Sequence, residues 1–318
     1  MIQFKAASTT LAFISLLTFQ IVTPAYFLPP DAEIVTDYQG HTTEHSAPYL
    51  FCESGGSRDY TLIISEVRWE VAPGQFFTAW TFNSAIPGPT LCGYEGETLQ
   101  IEIMNRLDRS VEFSVAPAGG TEVIATVTID RDETYTLELD NLPNGTLVYH
   151  DVAPESGSDT PPRGVAHGLY GAIVIYGNNE PLVDHDIIVF EDEFTPPITD
   201  DNDYFAVLNG KAYPLNPHYI FAVNEVVRFR MINIGSEYHT FHIHGHVWLD
   251  ASGNHIDNKV LAPGEAVDGL VKMREPGSWM YHCHIYDHIA GGMTAMLTVL
   301  SDGFEGDPIV YLRNGGAH

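Results

Sequence analysis

Basic side chains are scarce in this chain. Its 318 residues carry 14 Lys and Arg against 42 Asp and Glu, a formal charge of −28. A surface of that sign repels phosphate backbones and anionic headgroups, which argues against nucleic acid as a partner; solubility accounts for the surplus, and the same field attracts cations. Long apolar runs are few as well. The one of note, residues 10–22, follows Lys5 and precedes the small Thr23 and Ala25, which reads as a secretory signal peptide over residues 1–25. It is short for a span of about 20 residues and no second one follows, so no stable membrane insertion is expected after cleavage. Cysteine is limited to three residues, of which Cys283 lies between two histidines. Only Cys52 and Cys92 remain to pair, in an export context where a disulfide persists.

Helical periodicity is also missing, and what is there is β-rich. Residues 60–65, 76–82, 98–103, 134–139, 186–190, 226–232 and 294–300 are short runs of β-branched and aromatic side chains set off by Gly, Pro and Asn. The expected class is an all-β sandwich or barrel. The chain also repeats itself: residues 97–105 match 225–233 at an offset of 128, Tyr149-His150 matches Tyr281-His282 at 132, and residues 168–175 match 292–299. Two related domains are implied, at 59–180 and 181–304, preceded by an extension over 26–58 and followed by a tail over 305–318. The polar stretch 177–181 reads as the linker.

Seven of the fifteen histidines fall in two segments, residues 238–246 and 279–293. There, His239, Cys283, His288 and Met293 offer two imidazoles, a thiolate and a weaker thioether, a set suited to copper cycling between two oxidation states. A satisfied polar cluster or a structural zinc site fits less well, since structural zinc recruits more thiolates. His242, His244, His282 and His284 form a second set. Successive strand side chains face opposite ways, so His282 and His284 leave the face that Cys283 does not, and covalent bonds link the two sets.

These segments resemble those of the multicopper oxidases, most of all the two-domain bacterial laccases, with kinship to copper nitrite reductases and ceruloplasmin-like echoes in the second domain. The resemblance spans roughly residues 60–300 and includes Ile86-Pro-Gly-Pro-Thr90 and Gly168-Leu-Tyr-Gly-Ala172. It implies two tandem cupredoxin-like Greek-key domains, with a type 1 copper on His239, Cys283, His288 and Met293. One such copper per chain is implied, because Val111, Asp151 and Leu169 stand opposite His239, Cys283 and Met293. The family's trinuclear cluster takes four histidines from each domain, whereas here Ser114, Ala116 and Val152 stand at three of the first-domain positions. His150, His242, His244, His282 and His284 remain, enough for a mono- or binuclear copper site.

In the resembling two-domain proteins that site lies between subunits of a homotrimer, where His150 would meet His284 across chains. Asp151 and Asp287, beside ligands, are candidates for proton relay. The implied function is a secreted or periplasmic copper oxidoreductase that moves electrons from a small-molecule, metal-ion or protein donor to O2 or another small oxidant. The alternatives are an electron carrier or copper-binding protein with a decayed cluster, and a nitrite-reductase-like enzyme. Only seven methionines, with no Met-rich loop, argue against a dedicated cuprous oxidase.

Overall fold

The computed structural model describes residues 58–154, 162–177, 180–181, 183–199, 203–250 and 252–302, which all fall in one compact unit, Glu33–His318. The expected signal peptide, the extension up to residue 57, the tail 305–318 and Cys52 lie outside these residues. Cys92 is disulfide-bonded and Cys283 is free. No helix among the described residues is long and apolar enough to cross a membrane.

Four sheets make two sandwiches. In the first, strands Gln75–Phe82, Asp59–Ala72, Leu99–Asn105 and Thr134–Leu139 face a sheet of Leu91–Tyr94, Tyr170–Tyr176, Gly145–Asp151, Val111–Pro117 and Ala125–Ile129. The second repeats the plan. Phe205–Leu208, His185–Phe194, Val226–Asn233, Ala266–Lys272, Trp248–Leu249 and His255–Ile256 form its first sheet, and Tyr219–Ala222, Thr294–Leu300, Gly277–His282, His239–Ile243 and Asn258–Leu261 its second. Strand alternation builds each core. Leu99, Ile101 and Ile103 turn inward while Gln100, Glu102 and Met104 turn out. In the matching strand Val226–Asn233 nearly every residue is buried, because its outer face covers the first sandwich.

That cover is a third apolar cluster, which packs Val148, Tyr170 and Val174 of the first sandwich with Ile188, Phe190 and Ile232 of the second. Arg230 pins it. Its Nε and Nη2 donate to the two oxygens of Asp186 at 2.8 and 2.9 Å, and Nη1 reaches Thr146 of the first sandwich at 3.0 Å. The two described helices, Arg163–Ala166 and Tyr286–Ala290, each sit just before the last strand of a sandwich.

Candidate metal centre

The first ligand group is assembled where the last sheet closes. His239 opens strand His239–Ile243, which pairs with Gly277–His282 so that His242 stands opposite His282. Cys283 follows the second strand, and the helix Tyr286–Ala290 brings His288 back over it. Gly292, at φ 106° and with a Cβ position only 2.5 Å from the Ala212 side chain, turns the chain where no larger residue fits. Met293 thereby enters the same apolar cluster as Cys283.

The donor atoms converge. His239 Nδ1 lies 3.0 Å from His288 Nδ1, which lies 3.5 Å from Cys283 Sγ. The far nitrogens are held by carboxylates, His239 Nε2 by Glu193 at 3.1 Å and His288 Nε2 by Glu237 at 2.8 Å. With Nε2–H taken by a carboxylate, each imidazole turns Nδ1 into the pocket, where it donates to the thiolate and would give up that proton to a metal. Sγ accepts from the amides of Thr240 at 3.3 Å and Ile285 at 3.5 Å. Burial opposes ionisation of this thiol, but hydrogen bonds from His239, His288, Ile285 and Thr240 bring it down to about 5, so sulfur is thiolate at neutral pH. His239, Cys283, His288 and Met293 are all buried. Two imidazoles, one thiolate and an adjacent thioether in a dry pocket are a donor set that fits copper.

The second group lies on the other face of the same strands. His242, His282 and His284 each bring one nitrogen within 4.8 Å of the others, and His244 Nε2 is 3.1 Å from His282 Nε2. His242 Nδ1–H donates to the Asp257 carbonyl at 2.7 Å and His282 Nδ1–H to the Cys283 carbonyl at 2.6 Å, which leaves both Nε2 atoms free to ligate. His244 and His284 are exposed, so this group opens to solvent. His246 is turned away, its Nδ1 on the His244 carbonyl.

Within one chain His150 joins neither group. It lines a cleft of about 400 Å³ with Ala116, Val148, Ile232, Ser236 and Pro263, and its buried Nδ1 has no hydrogen-bond partner. Burial pulls its pKa down, so the imidazole is neutral. Ser114, opposite it in register, has its hydroxyl taken by Thr126 and the Ala125 carbonyl. Asp151 is spent on its own backbone, Oδ1 accepting from Glu112 N at 2.9 Å and Ala153 N at 3.1 Å. Asp287 is exposed in the first turn of its helix. Neither aspartate is hydrogen-bonded to a histidine of the second group. Glu193 and Glu237, which orient the first group, are absent from the reading of the sequence. A signal for the former existed in three consecutive acids, Glu191, Asp192 and Glu193, directly after the apolar residues 187–190 of strand His185–Phe194.

Two family models, both described as multicopper oxidase, match residues 64–180 and 191–303. A probable nitrite reductase-hydroxylamine oxidoreductase fusion protein of Kuenenia stuttgartiensis is 29% identical over 267 residues, 72% of this chain and 30% of that protein. The chain thus spans under a third of the length of the first curated relatives it matches. Among solved structures, a crystal structure of a multicopper oxidase aligns at TM-score 0.64 with 25% identity, covering 76% of this chain and 88% of the other. A copper nitrite reductase from Nitrosomonas europaea aligns at 0.66 with 20% identity, covering 80% and 99%, a likeness of fold alone.

Proposed function

Because the chain belongs to the multicopper oxidase family and is a copper oxidoreductase, we propose that it draws electrons from a cationic donor such as Fe(II) at His288 and delivers them to the second histidine group for reduction of O2. The observation that carries the choice of donor is Glu237. Its half-exposed carboxylate sits on His288 Nε2, so a cation attracted by the acidic surface would be held against the ligand that leads into the pocket. Copper on His239, Cys283, His288 and Met293 would supply one-electron cycling, and copper on His242, His244, His282 and His284 a place for the oxidant. Cys283 lies between His282 and His284, so the chain itself offers a covalent path from one group to the other.

The orphaned Nδ1 of His150 supports an assembly in which a neighbouring copy completes the second site, as a homotrimer would. Export of the mature chain belongs to the same reading. Metal analysis with Fe(II)-driven oxygen uptake tests it. Two or more coppers per chain and uptake lost in His282→Ala are expected; one copper per chain with no uptake would leave an electron carrier. Nitric oxide formed from nitrite and a reduced donor would point instead to nitrite reduction, a reading favoured by the name of the Kuenenia relative.

A further inference from the structure

The turn that leads into His239 has a twin in the first sandwich. Ile234 N donates to Glu191 O as Arg106 N donates to Ile64 O, and the Oδ1 atoms of Asn233 and Asn105 each accept at 3.0 Å from the amide two residues on, that of Gly235 or Leu107. In that register Glu193 stands where Glu66 does, each paired across a strand edge, with Ala206 in one case and Trp80 in the other. The backbone is shared and the side chains are not. Exposed Glu66 accepts from Trp80 Nε1 at 3.3 Å, Leu107 fills an apolar core, and Asp108 accepts from Arg109 at 3.0 Å. In the second sandwich the same three positions carry Glu193, Gly235 and Ser236, which meet at one carboxylate.

Glu193 is buried, and its two oxygens divide their partners. Oε2 accepts from His239 Nε2 at 3.1 Å, while Oε1 accepts from the Ser236 amide at 2.6 Å and also from the Ser236 hydroxyl. Burial pushes this carboxyl up, but those hydrogen bonds more than offset it and hold it below its ordinary value, so the acceptor is an anion. Gly235 supplies the room. A Cβ there would collide with Glu193 Oε2 and stand 3.2 Å from Asp192 Oδ1. We propose that Gly235 and Ser236 are positioning residues of the first ligand group: Gly235 leaves the space in which the Glu193 carboxylate lies, Ser236 holds its second oxygen, and together they fix the His239 imidazole with Nδ1 turned into the pocket. Both line the cleft that also holds His150, outside the ligand group itself, so they act only through Glu193. A ring held at Nε2 has its orientation set before a metal arrives.

The inference rests on the reading of this group as a copper centre, and the experiment separates the two. Full-length wild type, Gly235→Ala, Ser236→Ala and Ser236→Thr are compared by copper competition and thiolate-to-copper absorption when loaded, and by the low-field imidazole N–H proton resonance of His239 when metal-free. The collision in Gly235→Ala is with the end of a flexible side chain, so the carboxylate moves and the backbone stays. That variant should lose about 10- to 100-fold in copper affinity, shift the absorption and lose the His239 resonance. Ser236→Ala keeps the amide and drops the hydroxyl, and should lose about three- to tenfold, whereas Ser236→Thr restores the hydroxyl and should stay within about twofold of wild type. Both Ala variants within about twofold of wild type, with absorption and resonance unchanged, would overturn the proposal alone, as would a Thr variant no better than Ser236→Ala. If Gly235→Ala fails to fold, the two Ser236 variants decide. A wild type that takes up no copper would overturn the copper reading, and the His239 resonance would then decide the positioning role by itself.

Discussion

The two sandwiches hold the same pocket in two chemical states. In the second, the amides of Thr240 and Ile285 point at the Cys283 thiolate; in the first, the equivalent amides of Glu112 and Ala153 point at the Asp151 carboxylate. Met293 N bonds the His288 carbonyl just as Leu169 N bonds the Gly164 carbonyl, which makes Gly164 the counterpart of His288. A Cβ on Gly164 would stand 2.3 Å from that of Asp151. The two-amide cradle is thus a property of the fold, and what it cradles decides whether a metal is held. The rims differ in sign too. Arg109 and Arg163 stack on Trp80 at the first pocket, where the second has Glu237 and Asp287.

Exchanging the cradled group gives the largest expected effect. Cys283→Asp copies the first sandwich, keeps both amides satisfied, and should abolish the thiolate-to-copper absorption completely while the far-ultraviolet circular dichroism is retained. Acid should do the same to the native pocket. The thiol must lose its proton to bind metal, and its neighbours have lowered it to about 5 from an ordinary value near 8.5. His239, held up to about 10 by Cys283 and Glu193 against the effect of burial, must release its proton as well, so copper uptake should weaken steadily as pH falls below neutral and fail as it drops through about 5, measured by absorption at a fixed copper concentration. In the first sandwich, Asp151→Ala strands two half-buried amides and should cost about 1–3 kcal/mol in denaturant unfolding. Gly164→Ala should cost a similar amount by overpacking against Asp151.

How much of this was legible in the sequence follows from where each residue comes from. Cys283, His288 and Met293 lie on one short loop, so their spacing displays the chemistry directly. His239 was found because its segment repeats the imidazole density of that loop. The offset between repeats also holds in space: Asn105 and Asn233, aligned by pattern, make equivalent side-chain bonds, Nδ2 to the carbonyls of Arg109 and Ile129 in one and of Glu237 and Leu261 in the other. Glu193 and Glu237 were not legible, because they approach their histidines from 46 and 51 residues away in the chain. Gly164 carries no side chain to notice, and it stands 13 residues after Asp151 where His288 stands five after Cys283. His150 was recognised as a surviving imidazole, but only the packing of the two sandwiches shows that it lines a cleft within its own chain.

The smallest expected effect concerns the rims. Glu237 is half exposed and serves two ends, its Oε2 accepting from His288 Nε2 at 2.8 Å and from Tyr204 OH at 3.3 Å. Glu237→Gln keeps a hydrogen-bonding oxygen for His288 but removes the charge that draws a cation to it. Solvent and salt screen an exposed carboxylate, so the change should be a few-fold rise in KM for Fe(II) with kcat nearly unaltered, shrinking as ionic strength rises. Arg109→Glu, which gives the first rim the sign of the second, should change neither constant, since no thiolate lies beneath it to accept an electron. A fall in kcat for Glu237→Gln that salt does not diminish would mean that the carboxylate acts by orienting His288, and the contrast between the rims would then be one of ligand geometry and not of charge.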